Sequence, residues 1–162
     1  PTINNFCLKN NLKLFIAGNE RKNWIEEKKH FSNILMNKKW HYIQRKNLLS
    51  NFKIVDKFNI ISFVDSTLGY EAATRNKKIA AFSARKLNKS APTEIFNWTG
   101  GPKKRGFYYS DSISKEEVFR VLKNVLSVKK RKWHEKYSNH FKEIVTFHYN
   151  NKKLYKTIRK HF

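Results

Sequence analysis

The stretch Asp65-Ser66-Thr67-Leu68-Gly69-Tyr70-Glu71 holds the residue types in this chain best suited to chemistry. Ser66 and Thr67 follow a short apolar run and precede a helical pattern. That is where unpaired backbone N–H groups and the helix dipole favour a phosphate. Glu71 stands four residues after Thr67, hence on the same helix face one turn further in. A carboxylate there can accept both hydroxyls of a ribose while the Ser-Thr end holds the phosphate. The competing reading makes Asp65 or Ser66 an ordinary helix cap, Gly69 a point of close packing against a sheet, and Glu71 a solvated side chain.

Other constellations carry less. Val64 and Leu68 stand where a strained nucleophile elbow would need glycines, so Ser66 is not expected to be a hydrolase nucleophile. Thr99-Gly100-Gly101-Pro102-Lys103-Lys104-Arg105-Gly106 lacks the Walker spacing and reads as a basic loop. Its Lys104 or Arg105 would neutralise charge on a leaving diphosphate. The histidines His30, His41, His134, His140, His148 and His161 include no pair at helical metal spacing beside a carboxylate motif, so no metal is expected. Cys7 is the only cysteine, which excludes an internal disulfide and a cysteine-based zinc module and fits a reducing compartment.

To present such residues the chain must alternate strands and helices. Leu12 to Ala17 reads as a buried strand stopped by Gly18-Asn19, and Glu20 to about Leu35 as a helix. Trp40 to Gln44 has strand composition, and Ser50 to about Phe58 carries a helical stripe of Phe52, Val55 and Phe58. Ile60 to Val64 is the next strand, Asp65 to about Asn76 a helix, and Ile79 to Ser83 another strand. This pattern predicts an α/β domain of Rossmann-like type, a parallel sheet with helices on both faces. Ligands then belong beyond the carboxyl ends of the strands. Ala84 to Gly106 is long for a connection and marks a candidate functional loop. A short strand at Phe107-Tyr108-Tyr109 follows. Ser114 and Glu117 then form a capping box that opens a helix to about Val128. From Arg131 to Phe162 the chain reads as helical, in two pieces broken near Asn150-Asn151.

The chain has 162 residues, 40% of them hydrophobic and 15% aromatic, enough for one domain with a real core and too apolar for disorder throughout. Lys+Arg number 35 against 12 Asp+Glu, a net charge of +23. Such a charge suits nucleic acid, an anionic membrane face or phosphorylated ligands. Its weight is reduced because the cations are mostly Lys in a chain also rich in Asn, Ile and Phe, the composition an AT-rich coding sequence favours. The segments Lys129-Lys130-Arg131-Lys132-Trp133 and Lys152 to Phe162 interleave cations with aromatics, a pattern for nucleic acid or for an anionic bilayer surface. No apolar run approaches the roughly 18 residues of a membrane helix, and the N-terminal residues lack a secretory pattern. A cytoplasmic protein, peripheral to the inner membrane face, is expected.

The run Ile61 to Ala72, with Arg75 to Ala80 after it, resembles the nucleotide-sugar-binding half of GT-B glycosyltransferases. It is most similar to the bacterial surface carbohydrate biosynthesis proteins, which carry a related Asp-Ser-Thr-Leu-Gly-Tyr-Glu segment. The likeness extends through Ser83-Ala84-Arg85 toward Trp98 to Tyr108 and covers about Leu12 to Leu126, its specific part being some twenty residues. The resemblance implies a donor-binding domain over 1–128, with a basic, aromatic-rich helical tail over 129–162. Ser66 and Thr67 would hold the donor phosphate and Glu71 the ribose. Gly18, Arg21, Arg85, Lys104 and Arg105 would line the site. No metal or other cofactor is implied, the nucleotide-sugar being the substrate.

The resemblance further implies a C-terminal half whose missing N-terminal domain carries the acceptor site for a glycan or lipid-linked acceptor, so that the isolated domain binds donor but is incomplete for catalysis. A basic nucleic-acid-binding domain without activity is the alternative, and a purely structural domain of a larger assembly a third possibility.

Overall fold

The computed structural model describes residues 1–19, 22–36, 39–47, 50–84, 105–144 and 159. Within them run α1 (Thr2–Lys9), β1 (Leu14–Ala17), α2 (Trp24–Leu35), β2 (Trp40–Ile43), α3 (Ser50–Asp56), β3 (Ile60–Val64), α4 (Thr67–Thr74), β4 (Lys78–Phe82), β5 (Tyr109–Ser110), α5 (Lys115–Ser127) and α6 (Lys130–Ile144). Every strand pair among them is parallel, and the α/β expectation holds. Hydrogen bonding divides the strands into two sheets, β1–β2 and β3–β4–β5, where a single sheet was expected.

The three-stranded sheet is built around β4. Its residues are all buried, and both α4 and α5 pack on it, so helices cover both of its faces. A strand in that position must be apolar along its whole length rather than alternating, and Ile79-Ala80-Ala81-Phe82 supplies this, the two alanines letting the helices come close. The register sets Val64 of β3 opposite Phe82 of β4, and Phe82 opposite Ser110 of β5. These three residues therefore mark a common carboxyl edge.

Around this sheet Ile79, Phe82, Val121, Val125, Tyr70 and Tyr108 form the core. α6 belongs to the same core. Trp133 and Phe141 are each 2% exposed, and the rings of Trp133, Tyr137 and Phe141 surround Tyr108 at centroid distances of 5.7, 5.2 and 5.3 Å. The remainder of the basic segment, with the break near Asn150-Asn151, lies outside the described residues, apart from Arg159.

Two lysines are part of the interior. Lys78 enters β4 with its ammonium donating to the carbonyls of Val125 at 2.7 Å, Val128 at 2.8 Å and Leu126 at 3.4 Å. It thereby satisfies carbonyls that α5 leaves open at its C-terminal end. Burial pushes its pKa down. Lys77 donates to the backbone oxygen of Asp56 at 2.6 Å, tying β4 to the end of α3.

The β1–β2 sheet is thinner. Leu14 and Ile16 are half-buried while Phe15 and Ala17 are exposed. Phe15 stacks on His41 at 4.7 Å and meets Phe58 at 4.9 Å, which links β1 to the approach of β3. α1 was not expected from the sequence. It forms because Phe6 and Cys7 are buried, with Phe6 meeting Phe119 of α5 edge-on at 5.2 Å.

Candidate functional site

The helix α4 begins where β3 ends, and Asp65 makes the turn between them with a left-handed φ of 46°. Aspartate tolerates that conformation better than bulkier residues, and hydrogen bonds on both sides hold it. The Asp65 N–H donates to Phe82 O at 3.1 Å, and the Asp65 carboxylate accepts from the Ala84 N–H at 3.1 Å. Asp65 thus clamps the exit of β3 to the exit of β4.

Ser66 is the N-cap of α4 with extended backbone angles of −113° and 128°, yet its side chain makes no capping bond. Ser66 is half-buried, and Thr67 beside it is exposed. Glu71 lies one turn along the same helix, half-buried. Its carboxylate has no hydrogen-bond or ion-pair partner among the described residues. The structure therefore brings Ser66, Thr67 and Glu71 together on one helix at the carboxyl edge. Close packing makes this possible. A Cβ on Gly69 would stand 2.1 Å from the Phe63 ring, so only glycine lets α4 lie this near β3.

The same edge collects further polar groups. Ser83, fully buried, continues β4 and donates its N–H to Ser110 O at 3.1 Å. Ser110 ends β5 and Asp111 and Ser112 continue it, about 10 Å from β3 at two strand spacings. The α5 N-terminus stands beyond them, capped as the sequence predicts by Ser114, which accepts from the Glu117 N–H at 3.3 Å.

Glu117 is the centre of an unforeseen network. Its carboxylate takes Arg105 at 2.7 Å, Arg120 at 2.7 Å and the Ser110 hydroxyl at 2.9 Å. The Arg120 guanidinium, followed by the Arg105 side chain and the Ser110 hydroxyl, pulls its pKa from 4.5 down to about 2 against the opposing effect of burial. Arg120 also donates to Gly106 O at 2.8 Å and Tyr109 O at 3.3 Å, so the network fixes the entry to β5. Sequence reasoning read Glu117 only as half of a capping box. The signal available was the spacing of Arg105, Glu117 and Arg120, two cations that need a carboxylate between them.

The remaining candidates separate. Arg105 sits near the edge and is committed to Glu117, although its side chain stays 64% exposed. Gly18 belongs to the other sheet, at the end of β1, where its N–H donates to Ile43 O at 2.9 Å. The space a side chain would take at Gly18 is filled by the Tyr42 hydroxyl and the Glu27 carboxylate. Tyr42 donates to Glu27 at 2.5 Å, and Glu27 also accepts from the Asn19 N–H at 3.0 Å, a compact arrangement at the carboxyl end of β1–β2. Arg21, Arg85 and Lys104 lie outside the described residues, as does most of the Ala84 to Gly106 loop. Among the described residues no group of three or more His, Cys, Asp or Glu side chains could hold a metal ion, and no helix is long and apolar enough to cross a membrane.

Parallel strands with intervening helices define an α/β protein, with hydroxyls and carboxylates gathered at the carboxyl edge of β3–β4–β5. A family model described as "putative O-antigen biosynthesis protein" matches residues 1–162, and the chain belongs to that family. Its setting is thereby the biosynthesis of surface carbohydrate. No curated protein and no solved structure matches the chain.

Proposed function

We propose that the carboxyl edge of β3–β4–β5 binds the nucleotide-sugar donor of a glycosyltransfer step in O-antigen assembly. The observation that carries this reading is the start of α4. The Ser66 hydroxyl is not spent on its own helix, Thr67 is exposed beside it, and the Glu71 carboxylate one turn away is unengaged among the described residues. Ser66 and Thr67, with the first N–H groups of α4, supply donors to a phosphate, and Glu71 accepts the ribose hydroxyls. A cation near the departing diphosphate stabilises the charge that develops there. Arg105 serves in that role only by sharing its guanidinium with Glu117, so Arg85 and Lys104 are the better candidates.

The chemistry is transfer of the sugar from the activated nucleotide to an acceptor hydroxyl, with the acceptor, a glycan or lipid-linked glycan, held by a separate N-terminal GT-B domain. The protein works in the cytoplasm at the inner membrane face, where activated sugars are spent. The family description supports the setting of surface-carbohydrate synthesis, and the resemblance of Ile61 to Ala72 supports the donor assignment.

Calorimetric titration with CMP, UMP, UDP, GDP and TDP tests the proposal, beside Glu71→Ala and a Ser66→Ala/Thr67→Ala double variant. One nucleotide is expected to bind saturably. Glu71→Ala should weaken it about tenfold or more, the cost of a lost hydrogen bond to a charged group. Absence of binding by every nucleotide, together with strongly salt-dependent binding of a short DNA duplex, would overturn the donor site in favour of the nucleic-acid reading.

A further inference from the structure

We infer that the corner between α5 and α6 is a docking surface for anionic lipid headgroups. This reading is independent of the donor site. Lys129, Lys130, Arg131 and Lys132 follow one another where α5 ends and α6 begins, and all are exposed. Arg131 is held by Glu135 at 2.9 Å. Lys129, Lys130 and Lys132 have no ion-pair partner among the described residues.

Internal duties do not account for these cations. Lysines that follow a helix ordinarily serve its last carbonyls. For α5 that is done from inside, by the Lys78 ammonium on Val125, Leu126 and Val128. At the start of α6 the cations meet the positive end of the helix dipole, with no acidic residue in the first turn. That arrangement weakens the helix. Burial lowers the pKa of Lys77 against the charge of Asp56, and the charge of Lys130 adds to that lowering. The fold thus carries at this corner a density of positive charge that it does not neutralise, and an anionic surface outside it would.

The side chains around the corner select the kind of anion. Trp133 and Phe141 are each 2% exposed, so these two rings of α6 offer nothing for a base to stack on. The cation already engaged is the arginine, whose planar fork is the group suited to base edges. What remains outward is a set of lysine point charges on the outside of a helix corner, matched to a plane of lipid phosphates. Among the described residues, none of the exposed large hydrophobic side chains falls within α5 or α6. Adsorption is therefore electrostatic, without insertion, and salt reverses it.

The test is sedimentation of the full chain with vesicles of phosphatidylglycerol and phosphatidylcholine, or of phosphatidylcholine alone, at two salt concentrations. Two triple variants of equal net charge are compared: Lys129→Gln/Lys130→Gln/Lys132→Gln at the corner, and Lys22→Gln/Lys28→Gln/Lys29→Gln at exposed positions in and before α2. Each lysine near an anionic surface contributes about fivefold to partitioning. The corner variant should therefore bind anionic vesicles about a hundredfold more weakly, and the α2 variant about fivefold more weakly or less. The corner variant should also melt no lower than the parent, because its lysines make no ion pair to lose. Equal losses in the two variants would overturn the proposal by showing that diffuse net charge is enough. It would also fall if phosphatidylcholine alone bound equally well, if the corner variant melted lower, or if a short DNA duplex bound the corner more tightly than vesicles at the same salt.

Discussion

The Glu117 network gives the sharpest stability prediction, because one neutralising substitution removes its centre. In Glu117→Gln the shape is kept and the charge is lost. Arg120 retains Gly106 O and Tyr109 O as acceptors, so it is not stranded. Moving a carboxyl from 4.5 to about 2 on folding corresponds to about 3 kcal/mol of stability at neutral pH. Part of that comes from Arg105, whose side chain is 64% exposed and screened by solvent. A destabilisation of about 2 kcal/mol is therefore expected at pH 7.

The folded-state pKa is depressed, so this stability is fully present above the unfolded value of 4.5 and is lost as the pH falls toward about 2. Urea denaturation of parent and variant at pH 7, 5, 4 and 3 measures the difference directly. The gap should hold between pH 7 and 5 and shrink by about half or more by pH 3, where the carboxyl of the unfolded parent is protonated while that of the folded parent stays ionised. A gap that stays constant across this range would refute the reasoning, since it would trace the loss to packing rather than to charge.

Lys78→Met should cost about 1 to 3 kcal/mol, read by the same denaturation, since the carbonyls of Val125 and Val128 lose a buried donor. Gly69→Ala should destabilise by about 1 to 3 kcal/mol and lower the melting temperature, because the new methyl overlaps the Phe63 ring. Ser114→Ala should cost about 1 kcal/mol through the lost cap on α5, with a lower urea midpoint and an unchanged slope. Trp133→Ala should cost about 3 to 5 kcal/mol, visible as loss of the near-ultraviolet circular dichroism of the cluster around Tyr108.

Local patterning made much of the fold legible. β3 coincides with Ile60 to Val64, and α5 starts at the capping box because both signals lie within a few neighbouring residues. Thr67 and Glu71, four residues apart, fall on one face of α4 for the same reason, with Ser66 at its cap. What stayed hidden depends on distance along the chain. α1 buries Phe6 and Cys7 through barely one turn of apolar spacing, in a segment otherwise rich in asparagine. Lys78 looked like a polar residue at a strand entrance, and the carbonyl it serves at Val125 is 47 positions away. The separation into two sheets depends on which strand edges meet, and periodicity within a strand carries no record of that. Charge counting also misled in part, since Lys77 and Lys78 are interior residues and Trp133, beside the cations 129–132, is buried in the core.

The Asp65 clamp has a consequence for how such a domain can diversify. Asp65 pins the Ala84 N–H on one side, and Ser110 is bridged by Arg105 and bonded by the Ser83 N–H on the other. The described chain is therefore held by the sheet itself at two neighbouring points, Ala84 and Arg105. The number of residues between those two points can change without shifting a strand, so the connection is open to variation while the scaffold stays constant.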